Sequence, residues 1–285
     1  MLPELPEVET IVRYLKPKIR GKRILRLWSN TPRLFRQGKN FNEINRLLKG
    51  RAILNTARIG KNIVLILNSQ FNLYIHLMMT GKLLWNYPRL NEKHIRFFME
   101  LGGPPRMGEA RSTKLSGKNT LALHDIRKFG WIRLIKKEGA ADTSAATNKD
   151  ALSISFEDFK NAIRLRETNI KNALLNQKIV QGIGNIYSDE ILWYAGIKPT
   201  RPTNTLDKVE IKKIYPYIKK VLKIAIKKGG TSMRDYRKPD GKEGRYYPIR
   251  KVYQREGEKC GRDGTMIKRI KIGGRSAHFC PKHQK

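Results

Sequence analysis

The spacing of apolar residues changes character along this chain. From Pro6 it is helical: Val8, Ile11, Val12 and Leu15 recur at i, i+3, i+4 and i+7. Pro6 suits a first helical position, and Glu7 and Glu9 sit where a helix start favours acid. Short runs rich in β-branched and aromatic residues follow. They are Ile24–Trp28, Ala52–Ala57, Ile63–Leu67, Leu73–Leu77, Leu83–Trp85, Phe97–Leu101, Thr120–His124 and Trp131–Ile135. None is long enough for a buried helix, and the series predicts a β-sandwich or barrel. Gly102–Asn119, rich in Gly, Pro, Ser and Lys, reads as a long hairpin loop. Gly139–Ser153 is small and polar and is the best linker in the chain. Beyond it the helical period returns in Phe156–Leu165, Ile170–Leu175, Ile186–Tyr194 and Val209–Lys227, the last stopped by Gly229-Gly230. Lys259–Lys285 reads as a short basic hairpin, and no internal repeat is visible.

Length and composition sharpen this picture. At 285 residues, about two domains are expected. Lys and Arg number 60 against 24 Asp and Glu, a formal charge of +36. That excess calls for a polyanionic partner, which the positive field would steer and hold. The dense, periodic apolar segments argue against disorder as its source. No apolar run approaches the about 18 residues of a membrane span. The opening MLPELPEVET lacks the basic and apolar regions of a secretory signal. Cys260 and Cys280 are the only cysteines, which suits a reducing cytosol.

Three constellations carry possible chemistry. Pro3-Glu4-Leu5-Pro6 could simply be an arm leading into a helix. Alternatively, Pro3 as a free secondary amine could attack a sugar C1′ and form an iminium, with Glu4 donating a proton to the opening sugar or stabilising its positive charge. Gln181–Tyr187 places a glycine-rich turn before a helix, either a phosphate site or a plain helix–turn–helix corner. Cys260-x2-Asp263 and Cys280-x2-His283 have the spacing of a zinc hairpin, although a metal-free basic hairpin fits as well.

PELPEVET at the N-terminus, Ile75–Leu83, His124–Gly130, Gln181–Glu190 and Gly273–Lys285 occur together in that order. The set resembles the formamidopyrimidine-DNA glycosylase and endonuclease VIII family along nearly the whole chain. The resemblance implies an α+β fold: an N-terminal helix plus β-sandwich, a helical helix-two-turn-helix domain, and a C-terminal zinc-finger-like β-hairpin. The corresponding boundaries are 1–138, a linker at 139–153, then 154–250 and 251–285. It implies Pro3 as Schiff-base nucleophile, Glu4 as proton donor, and Lys61 and Arg275 as phosphate contacts assisting elimination. Asn185, His76, His94 and Arg166 fall at DNA-contact positions. Met79, Arg127 and Phe129 match the trio that fills the gap left by a flipped base. Asp240-Gly241-Lys242 within Ser232–Tyr247 resembles the loop that covers oxidised purines. One structural zinc on Cys260, Asp263, Cys280 and His283 is implied.

The expected activity is therefore a bifunctional DNA glycosylase and AP lyase removing 8-oxoguanine and formamidopyrimidines. It would act on double-stranded DNA as a cytoplasmic, nucleoid-associated monomer with no membrane contact. An endonuclease-VIII-like preference for oxidised pyrimidines is the alternative within the enzyme class; a non-catalytic damage binder is the alternative outside it. Four departures from the family pattern bear on these expectations. Leu2 precedes Pro3, Asp263 and His283 stand in for cysteines, Met78 replaces a glycine, and the usual segment after the sandwich gives way to Gly139–Ser153. An amide nitrogen is no nucleophile, so Pro3 chemistry requires that Leu2 be absent. Initiation at position 2 itself, with its leucine codon read as Met and the Met then trimmed, would meet that requirement.

Overall fold

The structure is a computed structural model and describes residues 2–36, 40–87, 92–103, 119–137, 149–233 and 236–285. The chain divides into two compact units. The first comprises residues 1–3, 7–145 and 231–244; the second comprises 4–6, 146–230 and 245–285. The sequence expectation placed 231–244 with the helical domain, whereas it groups here with the first unit. Most of the expected linker, and the expected loop after Gly103, lie outside the described residues.

In the first unit, α1 (Leu5–Ile19) leads into eight strands. They are β1 (Arg23–Ser29), β2 (Ile53–Ile59), β3 (Asn62–Leu67), β4 (Phe71–His76), β5 (Lys82–Trp85), β6 (Ile95–Gly102), β7 (Thr120–His124) and β8 (Trp131–Lys136). They form two four-stranded antiparallel sheets, ordered β1-β6-β7-β5 and β2-β3-β4-β8. Side chains alternate across a strand, so i, i+2 series enter one core: Ile63, Leu65 and Leu67; Phe97, Met99 and Leu101; Ile132 and Leu134. Val8, Ile11, Val12, Leu15 and Ile19 of α1 complete that core. Each such side chain is worth roughly 1.5–3 kcal/mol against exposure. A helix not anticipated from the sequence, α2 (Phe41–Leu48), starts where the Asn40 side chain accepts from Glu43 N–H and buries Ile44 and Leu48.

The second unit holds α3 (Phe156–Arg164), α4 (Ile170–Leu175), α5 (Asn185–Ala195) and α6 (Lys208–Lys227). A hairpin of β9 (Lys268–Ile272) and β10 (Arg275–Phe279) follows. Asp207 and Glu210 form a capping box on α6. Gly196, with φ of +70°, ends α5 in the left-handed conformation that glycine tolerates best. Among the described residues, no helix is long and apolar enough to cross a membrane.

Candidate active-site residues and nucleic-acid contacts

Glu4 is almost fully buried in the second unit, and its carboxylate caps α5. Oε2 accepts from Gly184 N–H at 2.7 Å and Tyr187 N–H at 3.4 Å; Oε1 accepts from Ile186 N–H at 2.9 Å. The glycine-rich turn is shaped to admit it. A Cβ on Gly184 would stand 2.4 Å from Glu4 Cδ, and one on Gly182 would stand 2.5 Å from Leu5 Cδ1. These N–H groups and the positive end of α5 thus serve an internal carboxylate. The phosphate-cradle alternative does not hold for these three donors.

Asn185 begins α5, and its Oδ1 is buried with no hydrogen-bond partner. Turning the amide would present its NH2 at that place, the donor a phosphate oxygen requires. Tyr253 lies against Asn185, and burial pushes its hydroxyl up to about 12. Glu190, also on α5, is fully buried and accepts from the N–H groups of Lys251, Val252 and Tyr253 and from Tyr246 Oη. Burial raises its pKa despite these donors.

At the hairpin tip Gly273 and Gly274 both have positive φ and turn the chain from Ile272 to Arg275. A Cβ on Gly273 would stand 2.9 Å from the Asn172 side-chain amide, which would have to shift, and the φ of +54° itself favours glycine at this tip. Arg275 is exposed at the first position of β10, and Arg166 is exposed just beyond α3.

The metal candidates divide. Cys260, Asp263 and Cys280 offer ligand atoms all within 4.8 Å of one another. Trp193 Nε1–H donates to Cys260 Sγ and His283 N–H donates to Cys280 Sγ, each at 3.4 Å. Such donors orient thiolate ligands. The Thr265 N–H holds Asp263 below the usual carboxylate range, so it is available as an anionic ligand. Two sulfurs and a carboxylate fit zinc chemically. His283 stands outside this trio, its Nε2 lying 2.8 Å from the Trp193 carbonyl oxygen.

In the first unit Pro3 is buried. Lys61 occupies the second position of the two-residue turn between β2 and β3, with Gly60 at positive φ before it. His76 ends β4, stacks on Trp131 at 5.1 Å, and accepts from Met78 N–H at Nδ1. Burial, aided by the cations of Lys61, Arg36 and Arg133, pushes its pKa down to about 4. His76 is therefore a neutral Nε2–H donor at neutral pH. An unfolded His76 would titrate near 6.5, so the unfolded state binds more protons between about 6.5 and 4. Stability is accordingly complete above that window and falls as pH drops through it. Melting temperature measured from pH 7 to pH 4 is expected to fall less in His76→Gln than in the unsubstituted protein.

Met78 has a φ of +50°, which explains the family preference for glycine there. The next residue, Met79, is 37% exposed and Phe129 is 42% exposed, so neither is a core residue. Arg127 ties them together: its Nη1 lies 3.4 Å from Met79 Sδ and its guanidinium 4.5 Å from the Phe129 ring centroid. Asp125 shapes this loop. Fully buried, it accepts from Thr80 Oγ1, from Arg127 N–H at 3.2 Å and from Gly130 N–H at 2.8 Å. Sequence reasoning did not single out Asp125, although an Asp bonding its own backbone two residues on is an Asx-turn signal. His94 contacts Arg96 and packs edge-on against His124, whose pKa burial lowers. In the segment 236–244, Ser232 Oγ donates to Tyr236 O and accepts from Gly244 N–H, while Lys238–Gly241 makes a turn with Gly241 at positive φ.

Three family patterns match the chain. Residues 2–132 match the Formamidopyrimidine-DNA glycosylase N-terminal domain, 147–237 the H2TH domain of the same family, and 257–282 the zinc finger found in FPG and IleRS. A Formamidopyrimidine-DNA glycosylase of Solibacter usitatus (strain Ellin6076) is 39% identical, over 100% of both chains. Another, from Streptococcus mutans serotype c, is 34% identical, also over 100% of both. Among solved structures, a Lactococcus lactis FPG mutant with Fapy-dG-containing DNA superimposes with a TM-score of 0.85 at 33% identity, covering 99% of this chain and 100% of that one. MutM in complex with carbocyclic 8-oxo-G containing DNA gives 0.83 at 33% identity, with the same coverage. Full-length identity and a common fold together establish that this chain belongs to the formamidopyrimidine-DNA glycosylase family, the DNA glycosylases of base excision repair.

Proposed function

We propose that the protein excises oxidised purines from duplex DNA and then nicks the strand, with the Pro3 nitrogen as nucleophile. The Glu4 carboxylate, fixed by three N–H donors immediately after Pro3, is the observation that carries this reading. Attack of the Pro3 lone pair on C1′ forms the N–C bond. The base departs with the glycosidic electron pair and takes up the proton released from the Pro3 nitrogen; the C1′–O4′ bond then breaks with its electron pair going to O4′, which takes a proton from water, and the nitrogen lone pair completes the iminium. Successive eliminations then break the 3′ and 5′ phosphate ester bonds. As an acceptor at the N-terminus of α5, Glu4 offers negative charge to the cationic sugar. That favours charge stabilisation over proton donation.

Lys61, His76, His94, Arg166, Asn185 and Arg275 would hold phosphates. His76 would do so as a neutral donor, and the Asn185 amide through its orphaned end. His283 would complete the zinc site through Nδ1, since its Nε2 is taken by the Trp193 carbonyl. A metal-bound histidine typically gives its other nitrogen to such an oxygen. Bound zinc supplies no chemistry to the reaction; it fixes the hairpin that carries Arg275. Solved relatives bound to 8-oxo-G and Fapy-dG DNA support the purine substrates. Action as a cytoplasmic monomer on chromosomal DNA completes the reading.

Excision of 8-oxoguanine from a labelled duplex tests the function. Base extrusion costs a few kcal/mol, which the exposed Met79 and Phe129 would offset by filling the vacated stack. Replacing both with Ala is expected to slow excision at least about tenfold, with binding to undamaged duplex nearly unchanged. Equal losses in the two assays would remove these residues from the extrusion step.

A further inference from the structure

None of the short family motifs falls on α6, yet among the described residues it is the most basic helix. It carries seven lysines and one acid, Glu210, which closes the capping box and pairs with Arg201. At about 100° per residue, Lys208, Lys212, Lys219, Lys223 and Lys227 form one row within an arc of roughly 100°. Lys213 and Lys220 widen it to about 140°. The buried residues Ile211, Ile214, Ile218, Val221, Leu222 and Ala225 lie on the opposite side, so the row points away from α3 and α5, on which α6 packs. Two of these lysines have partners on the helix surface. Lys219 Nζ donates to Tyr215 Oη at 2.9 Å, and Lys220 Nζ lies over the Tyr194 and Tyr217 rings at 5.9 and 5.6 Å. Lys208, Lys212, Lys223 and Lys227 are exposed, and among the described residues none makes an ion pair or side-chain hydrogen bond.

Like charges at i and i+4, as in Lys208–Lys212 and Lys223–Lys227, disfavour a helix, and a merely solvated face would interleave Glu with Lys. The row runs about 28 Å at 1.5 Å per residue. A duplex strand offers a phosphate every ~3.4 Å of axis, so the row can follow roughly eight of them. Lysines recognise that charge without reading bases, which suits undamaged DNA. A membrane surface is disfavoured because the apolar side of α6 is already buried in protein.

We propose that this outer face of α6 binds a second, undamaged DNA duplex while a lesion-bearing duplex occupies the catalytic site. The proposal rests on the repair reading above. Full-length protein would be saturated at one equivalent with a labelled duplex of about 20 base pairs containing a tetrahydrofuran abasic analogue. An undamaged duplex of a second colour would then be added, and co-sedimentation and energy transfer measured. Two duplexes per protein are expected. In the K208Q/K212Q/K223Q/K227Q variant the second duplex is expected to be lost, with single-turnover excision unchanged. The salt slope of the second site, log K against log salt, is expected to weaken by about 3 to 4, at ~0.9 per phosphate contact. A strict one-to-one complex, or second-duplex binding unaffected by the four substitutions, overturns the proposal. So does lysine-dependent binding of vesicles of anionic phospholipid without binding of the duplex. Failure of the first duplex to be preferred over undamaged DNA would instead count against the repair reading.

Discussion

Glu4→Gln is expected to lower the single-turnover excision rate by about 10²- to 10³-fold, the usual contribution of one fixed group that stabilises charge developing in the transition state. The substitution is nearly isosteric, yet its seat is built for an acceptor. Gly184, Ile186 and Tyr187 all direct N–H groups at the two carboxylate oxygens. A glutamine must turn its own NH2 toward at least one of them, leaving a buried donor unsatisfied at a cost of about 1–3 kcal/mol. It also removes the negative charge facing the sugar. Affinity for a tetrahydrofuran duplex is expected to change only a few-fold, because Glu4 is not among the phosphate contacts. A variant that keeps its excision rate would show that the carboxylate is merely a helix cap. Gly184→Ala provides a second check: its Cβ would overlap Glu4 Cδ and displace the side chain without altering its charge.

Metal removal is expected to have the second largest effect. The finger has a small core of its own, in which Trp193, Val252 and Ile267 surround Cys260 and Cys280. So small a cluster gains most of its order from a bound ion. Purified protein is expected to contain about one equivalent of zinc. Chelation is expected to loosen β9 and β10, and with them Arg275, lowering DNA affinity and flattening its salt dependence. His283→Ala is expected to weaken zinc binding at least about 10- to 100-fold, the scale on which even an outer partner of a metal ligand acts. Cobalt substitution reads the ligand set directly, since the spectrum of a two-thiolate site differs from that of a four-thiolate one. Full occupancy in His283→Ala would leave Cys260, Asp263 and Cys280 as the complete set of protein ligands.

Composition made the strands legible, because short runs such as Ile63–Leu67 and Phe97–Leu101 are dense in apolar, β-branched and aromatic residues, nearly all of them buried. The short helix α2 escaped notice although Phe41, Ile44 and Leu48 recur at i, i+3 and i+7 and, with Leu47, pack on the core, because two turns are too short for the period to stand out. Its signal was the Asn40 cap three residues before Glu43. Candidate residues were nameable one at a time, but their groupings depend on contacts distant in sequence. Glu4 meets α5 about 180 positions away, which turned an apparent phosphate turn into a carboxylate seat. The buried chain Lys171–Asp189–His278, linking α4, α5 and β10, was equally invisible. Nothing in the local sequence distinguishes a buried lysine from a surface one. Exposure decided Met79 and Phe129, since a strand-end apolar residue reads the same whether it faces core or solvent.

Borohydride trapping followed by peptide mass spectrometry reads whether the Pro3 nitrogen forms a covalent iminium with the lesion sugar. Two forms of the protein would be incubated with an 8-oxoguanine duplex, one beginning at Pro3 and one with Leu2 shown by mass to be still attached. A reduced adduct is expected on the Pro3 nitrogen in the first form and none in the second, because acylation by Leu2 ties up the lone pair. Equal trapping in both forms, or an adduct mapped to a lysine such as Lys61, would contradict it.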